Sequence, residues 1–193
     1  MTTCGRGVDG SISRPFLAPA KVGIFGLSYG GLNCLQALSR DAHKYAAGAC
    51  NAPVFNWISQ SRYDGGTIFD PAHKLPYVPK QLPVGPEPTV AGPRWPATAQ
   101  KLSGMARDSS PVAFLDNITG PLLLVHGDLD EEVPFQESLS LSRYLRNKAK
   151  RAKKANIVLE TLFLPDECHG ECAYANQLKA SEEIVRFLKR HLL

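Results

Sequence analysis

The chain has 193 residues, 44% of them hydrophobic and 21% charged, enough apolar material for one packed core, which excludes a disordered, collagen-like or coiled-coil chain. Nothing approaches the ~18 consecutive apolar residues of a membrane span, and residues 1–20 hold no apolar signal core, so the reading is a cytoplasmic protein without membrane association. The net charge of +4 is local, because seven basic residues and no acid fall between Arg143 and Lys154; the other 15 of the 22 basic residues face 18 acids, which argues against a nucleic-acid partner.

In chain order, residues 21–25 form a short apolar run (Val22, Ile24, Phe25) that reads as a strand. It ends in Gly26-Leu27-Ser28-Tyr29-Gly30-Gly31, and Leu32, Leu35 and Leu38 then follow at helical spacing. Residues 45–54 are small and apolar and suit a buried strand, with Pro53 marking its end. Residues 71–96 carry eight of the fifteen prolines, which forbids regular structure and predicts a surface loop or cap. Residues 121–126 (Pro-Leu-Leu-Leu-Val-His) read as a central parallel strand buried on both faces. Residues 135–150 are helical in pattern, through Leu139, Leu141, Tyr144 and Leu145, and 157–164 are rich in strand formers. The chain closes on a predicted helix over 181–192, capped by Ser181 and presenting Ile184, Val185, Leu188 and Leu192 as one stripe. Strands alternating with helices predict an α/β protein with a mainly parallel sheet, one domain over 1–193.

Five cysteines (Cys4, Cys34, Cys50, Cys168, Cys172) form an odd set in a chain without an export signal, so free thiols are expected. Cys168, His169 and Cys172 invite a metal reading, but a second ligand cluster with zinc spacing is missing, and neither metal nor cofactor is expected.

A strand that ends in Gly-x-Ser-x-Gly and opens into a helix is a nucleophile elbow, which makes Ser28 the candidate nucleophile. A serine hydroxyl needs a histidine to accept its proton, and the histidine needs a carboxylate to fix its tautomer. Downstream, acids follow the 121–126 strand at Asp128, Asp130, Glu131 and Glu132, and spacing does not choose among them. His169 follows the last strand and competes with His43, His73, His126 and His191; His126 reads as a packing and hydrogen-bonding residue at its strand end. The chain order of serine, acid and histidine is that of an α/β-hydrolase.

These blocks, together with Ala52-Pro53-Val54, Trp57, Ser110-Pro111, Val133-Pro134 and Pro165-Asp166-Glu167, resemble the C-terminal part of the catalytic domain of the prolyl oligopeptidase family of serine peptidases, which includes dipeptidyl and acylaminoacyl peptidases. The resemblance implies an α/β-hydrolase fold and selects Ser28, Asp130 and His169 as the catalytic residues. It further implies Tyr29 as an oxyanion-hole donor through its backbone N–H, and Tyr29, Val54, Trp57 and Val133 as an apolar pocket for the acyl-side residue of a peptide substrate. The elbow stands almost at the chain start, where the family has earlier strands, so an N-terminally truncated sheet is expected, with a homodimer through its exposed edge. The alternatives are an esterase of small acyl esters, using the same residues, and a catalytically inactive interaction protein.

Overall fold

The computed structural model describes residues 22–63, 106–151 and 157–193. Four strands, β1 (Gly23–Leu27), β2 (Ala47–Asn51), β3 (Leu122–Gly127) and β4 (Leu159–Leu164), form one sheet in chain order. All three pairings are parallel: Ile24 lies opposite Gly48, Ala49 opposite Leu123, and Val125 opposite Leu162. Helices α1 (Tyr29–Arg40), α2 (Trp57–Tyr63), α3 (Gln136–Arg151) and α4 (Tyr174–Leu192) connect or follow the strands.

Parallel neighbours in sequence order need crossovers of one hand, and a sheet that always steps the same way receives its crossover helices on one face. Accordingly Cys34, Leu35 and Leu38 of α1 and Leu141 and Leu145 of α3 share a core with Cys50, Leu122 and Leu124. The other face, Ala47, Ala49, Leu123 and Val125, is covered by Ala180, Ile184 and Phe187 of α4. Strand β3, Leu-Leu-Leu-Val-His-Gly, is buried throughout, as its unbroken apolar run requires between two helical layers. Strand β2 is built of small residues because the helices press close: a Cβ on Gly48 would meet the Leu38 side chain. On edge strand β1, Phe25 and Leu27 lie beyond the reach of α4 and are 53% and 41% exposed.

Three expectations need correction. Helix α4 begins at Tyr174, not Ser181. The buried Glu167 carboxylate accepts the N–H groups of Cys172 (2.7 Å) and Ala173 (3.2 Å), the two residues that lead into the helix, and so fixes its start from outside. The longer helix buries Ala180, Ile184 and Phe187, leaving Val185 half-exposed outside the stripe. The cysteines are not all free: Cys34 pairs with Cys50 and Cys168 with Cys172, at Cα separations of 5.9 and 5.5 Å. The first pair faces across the α1–β2 packing that the fold itself creates; the second closes a single turn around His169. The proline-rich 71–96 segment, residues 1–20, Lys153 and Lys154 lie outside the described residues. No helix among the described residues is long and apolar enough to cross a membrane.

Candidate active site

The C-terminal ends of the parallel strands carry the chemistry. Strand β1 stops at Leu27, and Ser28 turns the chain into α1 with φ 58° and ψ −120°. That left-handed conformation in a non-glycine residue costs about 1–3 kcal/mol. It is held by the Ser28 N–H donating to Asn51 O (2.9 Å) and by Leu32 N–H donating to Ser28 O (3.0 Å), the first turn of α1. The strain therefore falls on the serine, while the glycines make room for it. A Cβ on Gly26 would collide with the Gly30 backbone, and one on Gly31 would stand 2.7 Å from Asn51 O. Gly30 itself faces open space. The Ser28 side chain caps no N–H of α1, and Tyr29 N–H opens the helix as one of its unclaimed donors.

Beyond β3, the turn Asp128–Asp130 separates its acids by task. Asp128 Oδ1 accepts Asp166 N–H at 2.7 Å and so ties the loop after β3 to the loop after β4. Asp130 is buried, and its Oδ1 accepts the N–H groups of Glu132 (2.9 Å) and Val133 (2.8 Å). Its Oδ2 lies 2.7 Å from His169 Nδ1 and 3.2 Å from His126 Nε2. Burial alone would raise the Asp130 pKa, but the hydrogen bonds from His126, His169, Val133 and Glu132 outweigh it and hold the carboxyl far below the usual range.

His169 stands on the loop after β4, half-buried, with Nδ1 on Asp130 and Nε2 3.6 Å from the exposed Glu132 carboxylate. The Asp130 hydrogen bond raises its pKa against the opposing effect of burial, and the charges of Asp130, Glu132 and Glu171 push the same way. The structure thus brings Asp130 and His169 into direct contact on one side of the strand ends, with Ser28 at the tip of β1.

Val54, Trp57 and Val133 meet in one buried cluster with Leu32 and Ala106, and the half-exposed Tyr29 ring lies 5.8 Å from Trp57. The segment that carries them is fixed by backbone groups. Phe55 and Asn56 N–H donate to buried Glu137 Oε2 (2.9 and 3.0 Å), Trp57 N–H donates to buried Ser110 Oγ (2.9 Å), and Asn56 Oδ1 caps α2 at Ile58 N–H (3.0 Å). Burial raises the Glu137 pKa, and the hydrogen bonds from Ser59, Phe55 and Asn56 oppose the rise. Beside His169, Glu132, Asp166 and Cys172 help line a cleft of about 560 Å³.

Sequence reasoning missed a clamp between the two halves of the site. Glu171, buried at φ 58°, accepts Asn51 Nδ2 at 3.0 and 3.3 Å, while the backbone oxygen of the same asparagine holds Ser28 N–H. Residues 120 apart in sequence give no local signal. Only the closeness of Glu171 to His169 could have drawn notice.

The sequence model of the Prolyl oligopeptidase family matches residues 4–73 and 89–193. Among individual proteins, the venom dipeptidyl peptidase 4 of Vespula vulgaris is 25% identical over 158 residues, 81% of this chain and 16% of that protein. Its counterpart in Vespa velutina is 27% identical over the same lengths. The chain therefore spans about a sixth of these curated relatives. In structure, dipeptidyl peptidase 4 of Porphyromonas gingivalis superposes with a TM-score of 0.71 at 20% identity, covering 98% of this chain and 22% of that one. The acylaminoacyl peptidase of Pyrococcus horikoshii gives 0.70 at 21% identity, covering 95% and 26%. The four-stranded parallel sheet with its flanking helices is that of the α/β-hydrolase peptidases, and the chain belongs to the prolyl oligopeptidase family.

Proposed function

We propose that this chain carries a serine-type peptidase site acting on short peptides, with Ser28 as nucleophile, His169 as general base and acid, and Asp130 as the carboxylate that orients His169. The observation that carries this reading is the 2.7 Å contact between His169 Nδ1 and Asp130 Oδ2, which leaves Nε2 as the nitrogen not bound to Asp130, in a chain whose strained Ser28 tops β1 at the same end of the parallel sheet as the loops after β3 and β4. Ser28 Oγ attacks the scissile carbonyl and passes its proton to His169 Nε2. The proton then goes to the leaving amine, and water releases the acyl group by the reverse sequence. Tyr29 N–H stabilises the oxyanion, a donor worth about 3 kcal/mol in such sites. Tyr29 with Val54, Trp57 and Val133 forms the apolar surface for the acyl-side residue, suited to proline or alanine. Residues 1–193 are read as one partial domain, and the two disulfides weigh against a cytoplasmic location.

Labelling of the purified chain with a fluorophosphonate, mapped by peptide mass spectrometry, tests the reading without a guess about substrate. Ser28 should take the label, and both Ser28→Ala and His169→Ala should lose it. Because the base must be neutral and its pKa is raised, the labelling rate should climb with pH through a midpoint above the ordinary histidine value of 6.5. A folded, unlabelled sample would overturn the proposal.

A further inference from the structure

His126 is fully buried at the end of β3, and both its ring nitrogens are engaged. Nε2 faces two acceptors, Val133 O at 3.0 Å and Asp130 Oδ2 at 3.2 Å; Nδ1 lies 2.7 Å from Ser138 Oγ in the first turn of α3. This arrangement selects a tautomer. A bare Nε2 would set its lone pair against a carbonyl and a carboxylate, so Nε2 carries a proton. Ser138 is fully buried, and its hydroxyl has no other partner among the described residues. If Nδ1 also carried a proton, the Ser138 hydroxyl hydrogen would be left without an acceptor. The satisfied arrangement has Ser138 donating to Nδ1 and Nε2–H shared between Val133 O and Asp130. The His126 ring is held edge-on to Phe135, with centroids 5.7 Å apart.

We infer that Ser138 and His126 form an outer arm that positions Asp130, so that one carboxylate oxygen receives N–H groups from two histidines, His126 from the core side and His169 from the site side. This rests on the proposed role of Asp130. Two backbone N–H groups hold Oδ1; the His126 N–H fixes where Oδ2 points, and hence the plane in which His169 is held. His126 touches no reacting atom, so its role is one of positioning. The charged groups that face the two imidazoles are Asp130, Glu132 and Glu171 at His169, and Asp130, Glu137 and Glu171 at His126.

The experiment combines fluorophosphonate labelling rates against pH with ¹⁵N-histidine spectra of the same chain. In His126→Leu the labelling rate should fall about 10- to 100-fold, the scale set by one hydrogen bond to a charged group, and the pH midpoint should drop toward 6.5. His126→Gln, whose amide nitrogen reaches the place of Nε2, should recover most of the rate and the midpoint. A purely structural histidine would lower the melting temperature in both variants and leave the midpoint of the folded fraction unmoved, which would overturn the inference. Should His126→Leu fail to fold, Ser138→Ala replaces it: a several-fold slower label and a shifted His126 spectrum support the arm, and no change in either refutes it. The spectra of the unmutated chain stand independently of labelling. An Nε2–H tautomer at His126 that is displaced in Asp130→Asn supports the arm even if Ser28 never labels, in which case only the proposed function falls; an Nδ1–H tautomer refutes the arm whatever Ser28 does.

Discussion

The two halves of the site are held in different ways. Around Asp130 and His169, His126 of β3 and groups of the two adjoining loops converge until the carboxylate has four donors among the described residues. Around Ser28 there is no such convergence: a strained backbone turn on an edge strand is held by two backbone hydrogen bonds and by the absence of side chains on its glycines. The acid–base half is over-determined and should tolerate the loss of one contact with a graded loss of rate. The nucleophile half depends on close backbone approach and should fail abruptly.

The largest effect expected from that contrast comes from one methyl group. Gly26→Ala places a Cβ against the Gly30 backbone, which has no rotamer to yield, so the elbow must open and fluorophosphonate labelling should fall to background. Gly30→Ala, in the same motif, meets nothing within 4 Å and sits in the first turn of α1. It should keep the fold and gain up to about 1 kcal/mol from helix propensity in thermal or denaturant unfolding. Equal damage from both substitutions would mean that the motif's glycines act alike, contrary to the geometry.

The clamp that joins the halves should give a smaller, graded effect. Glu171→Ala leaves a buried Asn51 amide without its carboxylate partner, which should cost about 1–3 kcal/mol and slow labelling as the His169 loop loosens from β2. The pH dependence separates the groups. Burial raises the Glu171 pKa, so its contribution is complete below its ordinary 4.5 and is lost as pH climbs through the raised value. The raised His169 pKa acts in the same sense from 6.5 upward, whereas Asp130, held low, contributes above 3.8 and loses that contribution as pH falls through its lowered value. Glu171→Gln should therefore lessen the fall in stability above pH 4.5, to which the burial-raised Glu137 also contributes, while keeping the fall that begins near 6.5. Melting temperatures across that range check it, and an unchanged profile would remove Glu171 from the account.

What the sequence made legible was local or set by chain order. Gly26 to Gly31 specify strand, turn and helix within six residues, and the run Leu122–Val125 announces a strand buried on both faces. Order and resemblance, not spacing, single out Asp130 and His169, because Asp128, Glu131 and Glu132 carry the same charge as Asp130 within two residues of it. The hydrogen bonds that distinguish them come from Val133 N–H, His126 and a loop nearly forty residues on. Glu137 and Glu171 leave no trace in the pattern, and Glu167 shows only as part of a family block without its role, since a buried carboxylate is recognised only by the donors that tertiary packing brings to it. The cysteine pairing was hidden for the same reason: Cys34 and Cys50 become neighbours only when α1 lies on β2.

The start of α4 gives the smallest effect and the clearest choice between a local and a tertiary cap. If Ser181 opened the helix, Ser181→Ala would remove a cap and cost about 1 kcal/mol. In the structure Ser181 is an exposed interior position of a helix that already began at Tyr174, and Glu167 holds the two residues before that start through Cys172 and Ala173 N–H. Alanine is then the better helix former, and Ser181→Ala should stabilise by about 0.5 kcal/mol. Opposite signs make the unfolding midpoint decisive despite the small size. A destabilised Ser181→Ala chain would return the helix start to Ser181 and leave the loop that bears His169 without the helix end that Glu167 secures.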